Sequence, residues 1–228
     1  MLKQNVAIFA CLLLNFSFSA QLANAATKAS DYRQLGLLYR QQGRYAQAIE
    51  AMQKSVELEP ENTMGRVNLG WTLHLAKREQ AAAQSLLQAI YQKPFFVPAY
   101  NALGIVYLVD SNLTAAVIVH TWAAILKPDN EIAYYNLSLA LHRLQIYKLA
   151  IACANRAVTL EPNNPHPLVA GAISYWDYGD KNTAKQVYAK AINLDSRYSD
   201  RTFLTNLQQA AFSNSQIQTV DTLLQSQK

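Results

Sequence analysis

Cysteine is scarce in this chain, and the scarcity is informative. Its 228 residues contain two, Cys11 and Cys153. Cys11 falls in the apolar stretch near the amino terminus. If that stretch is removed as a leader, Cys153 alone remains and no internal disulfide can form, so the fold must hold by packing. Cys153 lies in the small-residue run Ala150-Ile151-Ala152-Cys153-Ala154, which suits a small buried hydrophobe rather than a reactive thiol. Metal-ligand spacing is also missing. His74, His120, His142 and His166 form no H-x-x-x-H or H-E-x-x-H pair, and there is no C-x-x-C. No G-x-S-x-G, P-loop or G-x-G-x-x-G occurs. The sequence therefore implies no metal, no cofactor and no catalytic residues, and the chain reads as a non-enzyme. Long basic runs are absent as well. The net charge is +5, but no run exceeds Lys77-Arg78, so the continuous stripe that nucleic acid would need is not there.

The ends are distinct from the middle. Lys3 provides a positive start, Val6 to Leu14 is almost wholly apolar, and Ala23-Asn24-Ala25 has the A-x-A form of a cleavage site. Residues 1–25 are expected to be a signal peptide cut after Ala25, with export to a bacterial periplasm or the exterior. The alternative is a retained anchor, against which the apolar stretch is short of the ~20 residues a span requires.

What the middle has is a clock. Pro60, Pro94, Pro128 and Pro162 are 34 residues apart, and so are Gly36, Gly70, Gly104 and Ser138. Proline cannot continue a helix and biases the residue before it away from helical geometry, so each marks the end of a unit. Leu35-Gly36, Leu69-Gly70, Leu103-Gly104 and Leu137-Ser138 place a filler and a small contact residue on a first helix. The second helix answers with small residues seven apart, one face over two turns: Ala48/Ser55, Ala82/Ala89, Ala116/Ala123, Ala150/Ala157 and Ala184/Ala191. Gly43 and Gly179 mark turns between the paired helices. The period predicts five stacked helix-turn-helix units at 29–62, 63–96, 97–130, 131–164 and 165–198.

This pattern resembles the tetratricopeptide repeat family over 29–198, with Tyr32, Leu35-Gly36, Tyr39, Gly43, Tyr45, Ala48 and Pro60 matching its consensus positions in the first unit. Arg66 departs from it in the second unit, and Gly171-Ala172 and Ser196 depart from it in the fifth, which makes the fifth unit the loosest. The resemblance implies an all-α, right-handed α-solenoid over 26–212. A capping helix is expected near 199–212, with Phe203, Leu204, Leu207 and Ala211 on one face. Residues 213–228 are then either a short amphipathic helix, with Ser213 and Gln216 as a capping box, or a frayed tail.

By the same resemblance, the first helices wall a groove. The residues placed there are Val67, Asn68, Trp71, Asn101, Ile105, Tyr135, Asn136, Leu139, Ile173 and Trp176, with His74 and His142 sharing one groove position two units apart. The aromatics would anchor a peptide or protein segment, and Asn68 and Asn136 would pair with its backbone. A Lys/Asn/Asn/Lys/Arg clamp for a terminal carboxylate, known in one subfamily, is absent in every frame. A second surface is expected on the convex side, where Leu87, Tyr91, Ile118, Trp122 and Ile125 form an apolar patch. It is available for docking or self-association unless the segment around Ile217 to Leu224 folds back over it. The functional expectation is an exported scaffold that binds a protein or peptide through the groove. The alternatives are an assembly factor for an envelope or membrane complex that docks through the convex patch, and a small-ligand carrier or divergent enzyme using the aromatic groove.

Overall fold

The computed structural model describes residues 28–227; the expected signal peptide lies outside them. The chain divides after Lys93 into two compact units. The first holds α1 (Ala29–Gln41), α2 (Tyr45–Leu58), α3 (Thr63–Leu75) and α4 (Glu79–Gln92). The second holds α5 (Val97–Val109), α6 (Leu113–Leu126), α7 (Glu131–Arg143), α8 (Tyr147–Leu160), α9 (Pro165–Tyr178) and α10 (Lys181–Leu194). A 3-10 turn (Ser196–Ser199), a 3-10 helix (Arg201–Ala210) and α11 (Asn214–Gln225) complete it. All regular elements among the described residues are helical, and they pair as helix-turn-helix repeats.

The punctuation explains the pairing. Each of α2, α4, α6 and α8 ends two residues before a proline of the 34-residue series. Polar caps begin several helices: the Asn62 side chain accepts from the Gly65 N–H and Asp180 from Thr183, satisfying donors that have no partner within the helix. Between the paired helices the same turn is built five times. Positive φ occurs at Gly43, Lys77, Ser111, Gln145 and Gly179, one per repeat at 34-residue intervals. The next residue donates back across the turn, as Arg44 does to Tyr39 and Arg78 to Leu73, both at 2.9 Å. Glycine meets that left-handed geometry without steric cost, whereas Lys77, Ser111 and Gln145 adopt it against the preference of an L side chain.

Packing follows from the small residues. Ala82 and Ala89 in the first unit, and Ala116, Ala123, Ala150, Ala157, Ala184 and Ala191 in the second, are fully buried where helices meet. A Cβ on Gly70 would come within 2.6 Å of the Leu86 side chain, so the crossing requires glycine there. In the next repeat His120 stands where Leu86 stands and covers Gly104. It is fully buried, and neither ring nitrogen forms a well-aligned hydrogen bond, with only the Gly104 backbone as a polar neighbour. That burial holds the imidazole neutral, with its pKa pushed down to about 3.

The C-terminal segment departs from the expected plain capping helix. Arg201–Ala210 is 3-10 rather than α, and Ala211 lies beyond it with φ +65°. Ala211 therefore does not share a helical face with Leu204 and Leu207, which are buried. In α11 the Ser213 and Gln216 side chains cap each other's backbone reciprocally, and Val220, Leu223 and Leu224 are buried in the core of the second unit.

Candidate functional site: a covered helix face and an open one

In the first unit, α3 carries Val67, Asn68 and Trp71. Val67 is buried, while Asn68 and Trp71 are half-buried. The Trp71 ring lies 5.0 Å from the His74 ring, and His74 Nδ1 meets Glu79 Oε2 at 2.7 Å. His74 is thereby tied into its own helix pair. On α4 of the same unit, Leu87 and Tyr91 are exposed, Tyr91 by 89%.

In the second unit the residues assigned to the groove meet a different fate. Asn101 and Ile105 on α5 are half-buried. The Asn101 amide is committed, donating to Asn130 Oδ1 at 3.3 Å and accepting from Asn130 Nδ2 at 2.8 Å. On α7 the Tyr135 hydroxyl donates to the Ala210 carbonyl of the 3-10 helix, and its ring lies 6.3 Å from Phe212. Burial raises the Tyr135 pKa well above the ordinary phenol value. Leu139 on α7 and Ile173 on α9 have no exposed surface, and both belong to the core that includes Val220, Leu223 and Leu224 of α11. Asn136 is buried, and its amide donates to the Ile132 carbonyl one turn earlier at 2.8 Å. These three positions correct the expectation of an open groove. Leu139 and Ile173 are covered core, and Asn136 is spent on its own helix rather than offered to a peptide. Trp176 is half-buried, with the Lys181 ammonium 3.9 Å from its ring centroid, within cation–π range.

The covering is done by the chain itself. The Gln216 amide, fully buried at the first turn of α11, donates to the Leu139 carbonyl at 3.1 Å and faces His142 Nδ1 at 3.2 Å. The other nitrogen of that ring, His142 Nε2, meets Asp177 Oδ2 of α9 at 3.0 Å, and Thr219 of α11 donates to the same carboxylate at 3.4 Å. The chain Gln216–His142–Asp177 joins α11, α7 and α9. The sequence pattern held no sign of it. His142 and Asp177 are one repeat plus one residue apart, a spacing that registers only once both faces are placed. Gln216 carried a capping signal and no tertiary one.

The open apolar face is on α6. Ile118, Trp122 and Ile125 are exposed by 55%, 51% and 60%, and spacings of four and three put them on one side of the helix. α11 packs mainly against α9, α10 and the 3-10 helix and leaves these three side chains exposed, so the C-terminal segment does not cover this face. Among the described residues no three His, Cys, Asp or Glu side chains cluster to hold a metal, and no helix is long and apolar enough to cross a membrane.

Comparison with known proteins agrees with the repeat geometry. Two family models, both described as tetratricopeptide repeat, match residues 33–95 and residues 132–164 and 172–198. Together they take in more than half of the chain. The BBSome complex member BBS4 of Bos taurus is 26% identical over 169 residues, 71% of this chain and 31% of that protein. A Drosophila melanogaster homologue of it is 24% identical over 73% of this chain and 35% of its own length. The chain thus spans about a third of the length of these relatives. Among solved structures, MamA from Desulfovibrio magneticus RS-1 superposes with a TM-score of 0.68 at 20% identity, over 75% of this chain and 97% of that one. TTC0263, a thermophilic TPR protein of Thermus thermophilus, gives 0.63 at 20% identity, over 80% and 98%. At such identities the structures speak for the fold alone. With the five-fold turn and the 34-residue packing clock beside these matches, the chain belongs to the tetratricopeptide repeat family.

Proposed function

We propose that this tetratricopeptide repeat protein is an exported scaffold, and that it docks a protein partner through the outer face of α6. The observation that carries the reading is the exposure of Ile118, Trp122 and Ile125 together on a helix face that the C-terminal segment leaves open. Contiguous apolar surface of this kind stabilises an interface when a partner removes it from water. The partner would be a component of an envelope or membrane complex, or a second copy of the chain. The name of BBS4, a complex member, is in keeping with an assembly role. Support for export comes from Lys3, the apolar residues 6–14 and the Ala23-Asn24-Ala25 signal. The groove reading loses ground because α7 and α9 turn Leu139 and Ile173 to α11 instead of to solvent. The test compares the mature wild-type chain with Trp122→Glu by sedimentation and by capture from envelope extract. Loss of self-association or of a captured partner in Trp122→Glu, with an unchanged helical signal, supports docking on α6. Identical assemblies in both would sink it.

A further inference from the structure

Gln216 is held in one orientation by three contacts. Its Oε1 accepts from the Ser213 N–H at 3.0 Å, and its Nε2 points at both the Leu139 carbonyl and His142 Nδ1. An amide nitrogen can only donate, so His142 Nδ1 must be the unprotonated, accepting nitrogen. The remaining proton of the neutral ring is then on Nε2 and is donated to Asp177. A proton added at Nδ1 would face the Gln216 amide hydrogens. Turning the amide over to accept it would set Oε1 against the Leu139 carbonyl and abandon the Ser213 cap. The docked position of α11 is therefore matched to one protonation state of one side chain.

The surroundings sharpen that match. From α9, Asp177 is the one charge in hydrogen-bond contact with the ring. Arg143, the neighbour on α7, is drawn away to the Leu108 carbonyl at 2.6 Å and the Ser111 hydroxyl at 2.9 Å. From α8, Tyr147 sets its ring edge-on, 5.6 Å between centroids. From α11 come uncharged groups only, Ser215, Gln216 and Thr219, while its single acid, Asp221, pairs with Arg201. The docked state buries the imidazole and opposes its charge. Burial lowers the His142 pKa, with the Asp177 carboxylate and the Ile173 backbone pulling the other way. Were α11 to leave, burial and the amide donors would go and Asp177 would stay, so the undocked state binds the proton more readily. The connection to α11 is a 3-10 helix of ten residues (Arg201–Ala210), longer than such helices commonly run, followed by the non-glycine Ala211 in left-handed geometry.

We propose that α11 is a pH-sensitive latch over the faces of α7 and α9. It is docked while His142 is neutral and released when His142 takes a proton at Nδ1, which uncovers the Leu139 and Ile173 surface in acid. The proposal concerns a face other than α6 and is independent of docking there.

Hydrogen–deuterium exchange on the full chain tests it, with each protection factor corrected for the intrinsic pH dependence of exchange. The readout is the protection of α11 relative to α10, so that global acid destabilisation cancels. Between pH 7.5 and pH 5.0 the wild-type ratio is expected to fall on the order of tenfold, the scale of one proton linked over a pH unit or more. In His142→Asn the amide oxygen can still accept from Gln216 without titrating, and the ratio should move by less than about twofold. A constant wild-type ratio overturns the latch, and so does a fall that persists in folded His142→Asn. Should that variant not fold, Asp177→Asn decides. Removing the carboxylate should shift release to lower pH, and release at the wild-type pH would refute the role of the ring.

Discussion

Replacing His120 with leucine should stabilise this protein, and by more in acid than at neutral pH. His120 is fully enclosed, and neither ring nitrogen forms a well-aligned hydrogen bond, the Gly104 backbone being its one polar neighbour. A buried polar group without a partner costs on the order of 1–3 kcal/mol. The preceding repeat demonstrates the alternative: Leu86 covers Gly70 in the place where His120 covers Gly104, so leucine fits that crossing. At pH 7.5 His120→Leu is therefore expected to gain about 1–3 kcal/mol. The acid component adds to this. The folded-state pKa of about 3 lies below the ordinary 6.5. As pH falls below 6.5 the unfolded chain takes up a proton that the folded chain refuses until about pH 3, so wild-type stability declines through that window. At pH 5 the decline from this one group is roughly 2 kcal/mol, and the variant escapes it. His142 and His166 are also held below their usual range by burial, but they are present in both proteins and drop out of the difference. Urea titrations at pH 7.5 and pH 5.0, followed by circular dichroism, measure it directly. A variant less stable than wild type at both pH values would refute the reasoning, and a difference independent of pH would refute its electrostatic half.

Three further outcomes follow from other parts of the molecule. The turn at Lys77 has φ +61° and that at Gln145 +62°, so Lys77→Gly and Gln145→Gly should each stabilise by about 0.5–1 kcal/mol, read as a higher melting temperature. A fall in either would mean that the side chain contributes more than the backbone geometry costs. Cys153 is half-buried rather than fully buried as its small-residue run suggested, and its thiol is pushed up to about 11 by burial. Its alkylation at pH 8 should therefore be far slower than that of a free thiol, and reaction at the free-thiol rate would contradict that shift. Intact mass of the chain recovered from a bacterial envelope should correspond to a start at Ala26. A mass that includes residues 1–25 would favour a retained anchor.

The repeat clock was legible because its physics is local. A proline after the second helix, a small residue at the crossing and a turn between the helices each leave a mark at a fixed offset. The turn was only half legible: Gly43 and Gly179 announced it, while Lys77, Ser111 and Gln145 take the same backbone without the signature residue. The α6 face could be read for a similar reason, since Ile118, Trp122 and Ile125 stand where the outer repeats carry polar side chains. What could not be read was where the last segment goes. Ile217 to Leu224 carried a helical stripe, but a stripe names no receptor, and Leu139 and Ile173 look alike in sequence whether solvent or α11 covers them. His120 was equally opaque, because an unpartnered imidazole differs from a partnered one only in its three-dimensional surroundings.

Docking through α6 is tested most directly by photo-crosslinking in the native envelope, with p-benzoylphenylalanine placed at Ile125 on α6 and, separately, at Ile105 on α5. A discrete crosslinked product is expected from position 125, abolished by adding Trp122→Glu, and none from position 105. Crosslinks from position 105 with none from position 125 would contradict it.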